Sequence, residues 1–184
     1  GSIKGIVSDA FWDRGVRITS AYAANAVPVA EYTLSQIIFS LKRGWFFVRK
    51  IKNKGKHIKR KNFPDVPGAY KSTVGIISLG MIGRKVCQHL NNFDVDVLAY
   101  DPYVKKEDAA ELGVKLCSLE DIFKKSDVVS LHTPWLKETE GMITGDHFKI
   151  MKDNSTFINT ARGAVVCEKE MLAVLKERQD IYAI

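Results

Sequence analysis

"STVGIISLGMIGRKV", Ser72–Val86, is the stretch whose reading decides the fold. The run "TVGIIS" is apolar without interruption, as in a strand covered on both faces. The residues from Met81 onward suit a helix, and Ser78-Leu79-Gly80 forms the corner between the two. Strand, glycine turn and helix start is the layout of a dinucleotide-binding turn, whose pattern is G-x-G-x-x-G. Gly80 and Gly83 stand at its second and third glycines, and Ser78 replaces the first. The second glycine lets the backbone approach a pyrophosphate, and the third lets the helix pack closely on the strand. The serine costs roughly 1–2 kcal/mol where the turn needs a positive φ and little elsewhere. In either case the free N–H groups of the helix start, at Met81 and Ile82, remain to face phosphates.

A plain α/β turn is the bland alternative, and the context argues against it. Asp101 follows the apolar run "VDVLAY", Val95–Tyr100, and lies 21 positions after Gly80. An acidic residue about 20 positions on, after the second strand, accepts the adenosine ribose hydroxyls. Its charge repels a 2′-phosphate, which favours NAD over NADP, although Lys105 and Lys106 offset part of that repulsion.

Downstream, short apolar runs alternate with helical ones. "KKEDAAELG" reads as a helix stopped by Gly113, and "VKLC" as a short extended piece. Ser118 and Asp121 cap the start of "LEDIFKKS". "DVVSLH", "STFINT" and "IYAI" read as strands, "TGDHFKIM" and "EKEMLAVLKERQ" as helices. Strands each followed by a helix define an α/β fold with a doubly wound parallel sheet. "IYAI" breaks off without a turn and leaves a raw sheet edge, so the chain is expected to be a fragment of a longer protein.

Upstream, "SIKGIVS" and "GVRITSAY" read as two strands, with a turn of helix at "DAFWDR" between them. Ala30, Leu34, Ile37, Ile38, Leu41, Trp45 and Val48 then recur at helical spacing. They predict one long amphipathic helix over 28–52, with Pro28 in its first turn. "NFPDVPGAY" is a linker.

Bulk properties exclude several classes. With 184 residues, 46% hydrophobic and 27% charged, the chain has the composition of a globular protein with one good core. No apolar run approaches the roughly 18 residues of a membrane span. Cys87, Cys117 and Cys167 are odd in number and form no C-x-x-C, so buried thiols in a reducing cytoplasm are expected. Ten basic residues and no acidic one fall between Lys42 and Lys61, and without them the net charge of +7 becomes −3. A solvated helix end and loop accounts for that run. No RNA-binding or helix-turn-helix signature accompanies it, which disfavours nucleic acid as a partner. There is no metal-binding cluster, and His57, His89 and His147 read as loop and helix-surface residues.

Three further stretches complete a pattern: "NAVPVAEYTL" (Asn25–Leu34), "SDVVSLHTPWLKETEGMIT" (Ser126–Thr144) and "FINTARGAVVCEKEMLAVL" (Phe157–Leu175). With "GIISLGMIG" and "YDPY", in this order and spacing, the chain resembles the D-isomer-specific 2-hydroxyacid dehydrogenases over almost its whole length. The resemblance implies a Rossmann-type NAD-binding domain at 72–184. It implies an interdomain helix and linker at 27–71, and a remnant of a flavodoxin-like substrate domain at 1–26. It implies NAD as cofactor, a small 2-oxo or 2-hydroxy acid as substrate, a cytoplasmic enzyme, and a homodimer formed through the NAD domain and the helix at 28–52. Gly80, Met81, Ile82, Gly83, Asp101, Pro102, His132, Thr133, Pro134, Thr160, Ala161 and Arg162 are then expected around the cofactor, with Arg162 catalytic. An arginine suits that task because its fork holds a carboxylate and a developing oxyanion together. His132 sits at a strand's carboxyl end and is tempting as acid/base. The resemblance instead makes it a neighbour of the cofactor or a structural residue, and places the proton-transferring histidine beyond Ile184. The fragment itself is therefore expected to be inactive. An NAD-responsive regulator without turnover, like the corepressors that resemble these enzymes, is the alternative.

Overall fold

The computed structural model describes residues 6–54 and 63–184. Six parallel strands form one sheet: β1 (Ser72–Ile77), β2 (Val95–Tyr100), β3 (Lys115–Leu116), β4 (Val128–Leu131), β5 (Thr156–Asn159) and β6 (Tyr182–Ala183). Their order is β3-β2-β1-β4-β5-β6, the Rossmann order. It reverses between β1 and β4, and the crevice at the carboxyl ends of those two strands is where such sheets bind ligands.

The period of two along each strand divides the core. Val74 and Ile76 of β1 and Ile158 of β5 face one apolar cluster, with Val86, Cys87 and Leu90. Ile77, Val129, Leu131 and Phe157 face the other, with Phe123, Phe148 and Val174. The first is covered by α2 (Tyr22–Leu41), α4 (Met81–Leu90) and α5 (Lys106–Glu111), the second by α6 (Leu119–Lys125), α7 (Gly145–Lys149) and α8 (Glu168–Glu177). With both faces covered, the strands read as continuous apolar runs, as expected. The Ser118 hydroxyl accepts from Asp121 N at 3.1 Å, so that cap forms as read. Gly113 closes α5 with φ +72°.

Three expectations about the chain before β1 are corrected. The helix read at 28–52 is two helices, α2 and α3 (Gly44–Lys54). Arg43 breaks it with φ +57°, donating through Nε to Asp65 O at 3.1 Å and through its guanidinium to Asn154 O. A side chain on Gly44 would meet the outer edge of the Phe39 ring, which packs over this corner. α2 also starts six residues early, with Pro28 inside it. Pro28 is exposed, and so is Ala24, whose carbonyl the missing N–H would have met, so water can satisfy it. "GVRITSAY" forms no strand; only α1 (Asp9–Asp13) precedes α2 among the described residues, and Val16 stays exposed with no sheet to join. Part of "SIKGIVS", most of the basic run's tail and His57 lie outside the described residues.

Of the three thiols only Cys87 is buried, and burial pushes it up to about 12; Cys117 and Cys167 are half-buried. His147 is likewise no free surface residue. It closes a capping box on Thr144, accepting from Thr144 N at 3.1 Å. Burial lowers its pKa.

Candidate cofactor site

The corner after β1 is tied down at both ends. Ser78 N donates to Tyr100 O at 2.8 Å, and Leu79 N donates to Asp101 Oδ2 at 2.8 Å. Asp101 Oδ1 accepts from Tyr103 N at 2.9 Å. Thus Asp101, read as a ribose ligand, also braces the glycine turn. A carboxylate offers about four lone pairs, so two strong bonds leave it acceptor capacity.

Ser78 does adopt a left-handed backbone, φ +76°. Its hydroxyl lies 3.5 Å from Asp101 Oδ2, beyond the usual range of an O–H···O bond. At Gly80, the N-cap of α4, an added Cβ would meet nothing within 4 Å. At Gly83 it would collide with the Ser78 carbonyl oxygen. The two glycines therefore differ in purpose. Gly80 keeps a space open, and Gly83 lets helix and turn touch. No side chain caps α4, so its first N–H groups are free to meet an anion.

A cavity of about 490 Å³ opens on this corner, a size that suits a small-molecule ligand. Gly80, Met81, Ile82, Asp101, His132, Pro134, Thr160 and Arg162 all line it. A second cavity of about 230 Å³ adjoins it through Ser78, Asp101, Tyr103 and Pro134, and is lined also by Pro102 and Thr133. Gly83 and Ala161 line neither. Gly83 lies under the turn, and Ala161 packs on the Phe-rich core.

Thr133 is buried and its hydroxyl has no hydrogen-bond partner among the described residues. A buried orphan of this kind costs about 1–3 kcal/mol and points to a missing ligand or water. His132 is also buried; loss of water drives its pKa down to about 4, so it is neutral at pH 7. Arg162 is exposed, its guanidinium donating to Ala161 O at 2.7 Å. Asn159, which the sequence did not single out, holds this turn: its Oδ1 accepts from Ala161 N at 2.9 Å and its Nδ2 donates to Arg162 O at 3.2 Å. Its place at the end of β5, just before "TARG", was the available signal. The other unforeseen wall is the start of α2, through Tyr22, Asn25, Ala26 and Val29.

Strand order, glycine turn and a cavity at the switch point define a dinucleotide-binding domain of the Rossmann type. Residues 36–184 match the family described as "D-isomer specific 2-hydroxyacid dehydrogenase, NAD binding domain", and the chain belongs to that family. It is 33% identical over 179 residues to D-3-phosphoglycerate dehydrogenase of Archaeoglobus fulgidus, covering 95% of this chain and 32% of that protein. Among solved structures, D-lactate dehydrogenase of Aquifex aeolicus complexed with NAD and lactic acid superposes with a TM-score of 0.75 at 31% identity, covering 95% of this chain and 52% of that one. The NAD-complexed 2-hydroxyacid dehydrogenase of Lactobacillus delbrueckii ssp. bulgaricus gives 0.73 at 29% identity, covering 90% and 48%. The chain spans about a third of the length of the curated phosphoglycerate dehydrogenases it matches. The matched portion is an NAD-binding domain, and no helix among the described residues is long and apolar enough to cross a membrane.

Proposed function

We propose that this chain is the cofactor-holding part of an NAD-dependent oxidoreductase that acts on the CH–OH group of a small 2-hydroxy acid. One observation carries the reading: the glycine turn, Asp101 and Arg162 line a single cavity at the carboxyl ends of the strands. The open space at Gly80, the uncapped start of α4 and the orphan hydroxyl of Thr133 fit a dinucleotide. Met81 and Ile82 would offer backbone N–H groups to its pyrophosphate, and Asp101 and Pro102 would flank its ribose. Thr133, Pro134 and Thr160 would border the rest of it, with Ala161 packed behind them. When bound, NAD exchanges a hydride with the substrate carbon. Arg162 would hold the substrate's carboxylate and carbonyl oxygen, stabilising negative charge as it develops.

His132 is not assigned the proton. It is neutral down to about pH 4, with Ser130 Oγ 3.0 Å from its Nε2 and Thr160 Oγ1 3.4 Å from its Nδ1. Proton delivery therefore falls to a group other than His132. The relatives named above are described as dehydrogenases, which favours the enzyme over the regulatory alternative.

On the same reading residues 1–26 belong to a substrate domain, 27–71 to an interdomain helix and linker, and 72–184 to the NAD domain. The protein would be cytoplasmic. A homodimer through α2 and α3 is supported by the exposed apolar side chains of Val27, Tyr32, Phe39, Val48 and Ile51. Calorimetric titration tests the core of the proposal. NAD should bind, NADP should bind at least about tenfold more weakly because of Asp101, and Asp101→Ala should lose most NAD affinity. Equal binding of both cofactors, or none of either, would refute it. Reduction of glyoxylate, hydroxypyruvate or pyruvate by this chain alone should be undetectable.

A further inference from the structure

A buried row of hydroxyls crosses from the sheet to α2 through His132. Ser130 Oγ lies 3.0 Å from His132 Nε2, and His132 Nδ1 lies 3.4 Å from Thr160 Oγ1. Thr160 Oγ1 lies 3.3 Å from Thr33 Oγ1, and Thr33 Oγ1 donates to Val29 O at 2.8 Å. Ser130 and Thr33 are both fully buried, and His132 is 8% exposed. The two central links are long, so the direction of each proton is decided at the ends.

Both ends give the same answer. A hydroxyl has one proton. That of Thr33 is committed to Val29 O, the shorter bond and the stronger acceptor. Thr33 can then meet Thr160 only as an acceptor, so Thr160 donates to it. Thr160, its proton spent, can meet Nδ1 only as an acceptor, so Nδ1 carries the imidazole proton. At the other end, His132 Nε2 is the only partner of Ser130 Oγ among the described residues. A buried serine proton without an acceptor is costly. Ser130 therefore donates to Nε2, which must be unprotonated. A neutral imidazole bears one N–H, and it is again the one on Nδ1.

We infer that Thr33 is a positioning residue: by taking the Thr160 proton it turns Thr160 into a hydrogen-bond acceptor toward the cavity, suited to the carboxamide N–H of the nicotinamide ring, in a row whose Ser130 end holds His132 as the Nδ1–H tautomer. Thr160 lines the cavity and donates to Thr33, so its remaining lone pair is what the ligand meets. The ligand's identity rests on the function proposed above; the tautomer does not.

The experiment has two arms. The first reads the imidazole ¹⁵N shifts of His132 by NMR at pH 7 without ligand. The wild-type chain should show the Nδ1–H form. In Thr33→Val the Thr160 proton loses its acceptor and turns to the cavity, while fully buried Ser130 still donates to Nε2, so the ring should stay in the Nδ1–H form. Thr33→Ser should leave the tautomer unchanged as well. The second arm titrates NAD against nicotinic acid adenine dinucleotide, in which a carboxylate replaces the carboxamide. The wild type should prefer NAD by at least about fivefold, the worth of one hydrogen bond. That preference should shrink in Thr33→Val, whose freed Thr160 proton can be given to the carboxylate, and return in Thr33→Ser. An Nε2–H ring in the wild type, a ring that switches in Thr33→Val, or a cofactor preference indifferent to Thr33 overturns the inference. Failure of the wild type to bind NAD refutes the proposed function, while the NMR arm still decides the row.

Discussion

Replacing Ser78 with glycine should stabilise this protein, although the substitution removes a side chain from a structured turn. Ser78 holds φ +76°, a conformation that costs an L residue with a Cβ roughly 1–2 kcal/mol. Glycine removes that cost but adds chain entropy to the unfolded state, about 0.5–1 kcal/mol. The hydroxyl contributes little in return, because its contact with Asp101 is 3.5 Å and Asp101 Oδ2 already accepts from Leu79 N at 2.8 Å. The bond from Ser78 N to Tyr100 O belongs to the backbone and survives. The net gain is about 0.5–1 kcal/mol, or about 2 °C in Tm for a chain of this size. Ser78→Ala keeps the strain and loses only the hydroxyl, so it should shift stability by less than about 0.5 kcal/mol. Urea denaturation at equal m-values measures both, and NAD affinity should be unchanged or tighter in Ser78→Gly. A loss of 1 kcal/mol or more in either variant would show that the hydroxyl holds the turn, and the strain argument would fail.

Gly83→Ala should cost about 2–3 kcal/mol, since its methyl would overlap the Ser78 carbonyl, and the same denaturation series would expose a milder effect. Thr133→Val should stabilise the unliganded protein by about 1 kcal/mol by removing an orphan buried hydroxyl, while weakening NAD binding; a destabilised valine variant would mean that Thr133 has a partner within the fold. The buried, neutral His132 makes folding pH-dependent. Between pH 6.5 and about 4 the unfolded chain takes up a proton that the native one refuses, so stability falls as pH drops through that window, by up to about 3 kcal/mol. Above pH 6.5 the effect is absent, and a His132→Asn chain should lack this part of the acid loss; parallel pH profiles for the two chains would contradict it.

What was legible in the sequence depended on how local its cause is. "VDVLAY" became β2 residue for residue, because buried Val97 and Ala99 alternate with less buried neighbours at the strand period of two. Ser118 capped α6 as read, since a cap reaches only three residues. The break at Arg43 escaped because apolar spacing continues across it; what stops α2 is Arg43 reaching Asp65 and Asn154, 22 and 111 residues away. Its local sign was the glycine after two basic residues, a common helix ending. Pro28 misled because an exposed second turn tolerates a proline that a buried one would not. At the site, Gly80, Met81, Ile82, Asp101 and Arg162 could be placed in one cavity from sequence, since strand ends carry them to the same edge. The contact of Thr33 with Thr160 could not, because 127 residues separate them and only the docking of α2 brings them together.

Asp101 shows why a ligand-contact reading from sequence was incomplete. As a ribose acceptor alone it would be a residue whose removal costs affinity and nothing else. The structure gives it two backbone donors, Leu79 N and Tyr103 N, both of residues that line the cavity. Asp101→Ala strips both of their acceptor and so loosens the turn that presents Met81 and Ile82. Its loss of NAD affinity would then exceed the worth of a ribose contact. Asp101→Asn keeps one carbonyl oxygen for one of the two donors and removes the charge that repels a 2′-phosphate. The asparagine variant should therefore lose NAD-over-NADP preference with less loss of stability than the alanine one. That separation follows from the carboxylate being bound to the loop before any ligand arrives, and it ties the serine at position 78 to the same group. A glycine turn whose first glycine is missing is held in shape by the acidic residue that closes the next strand.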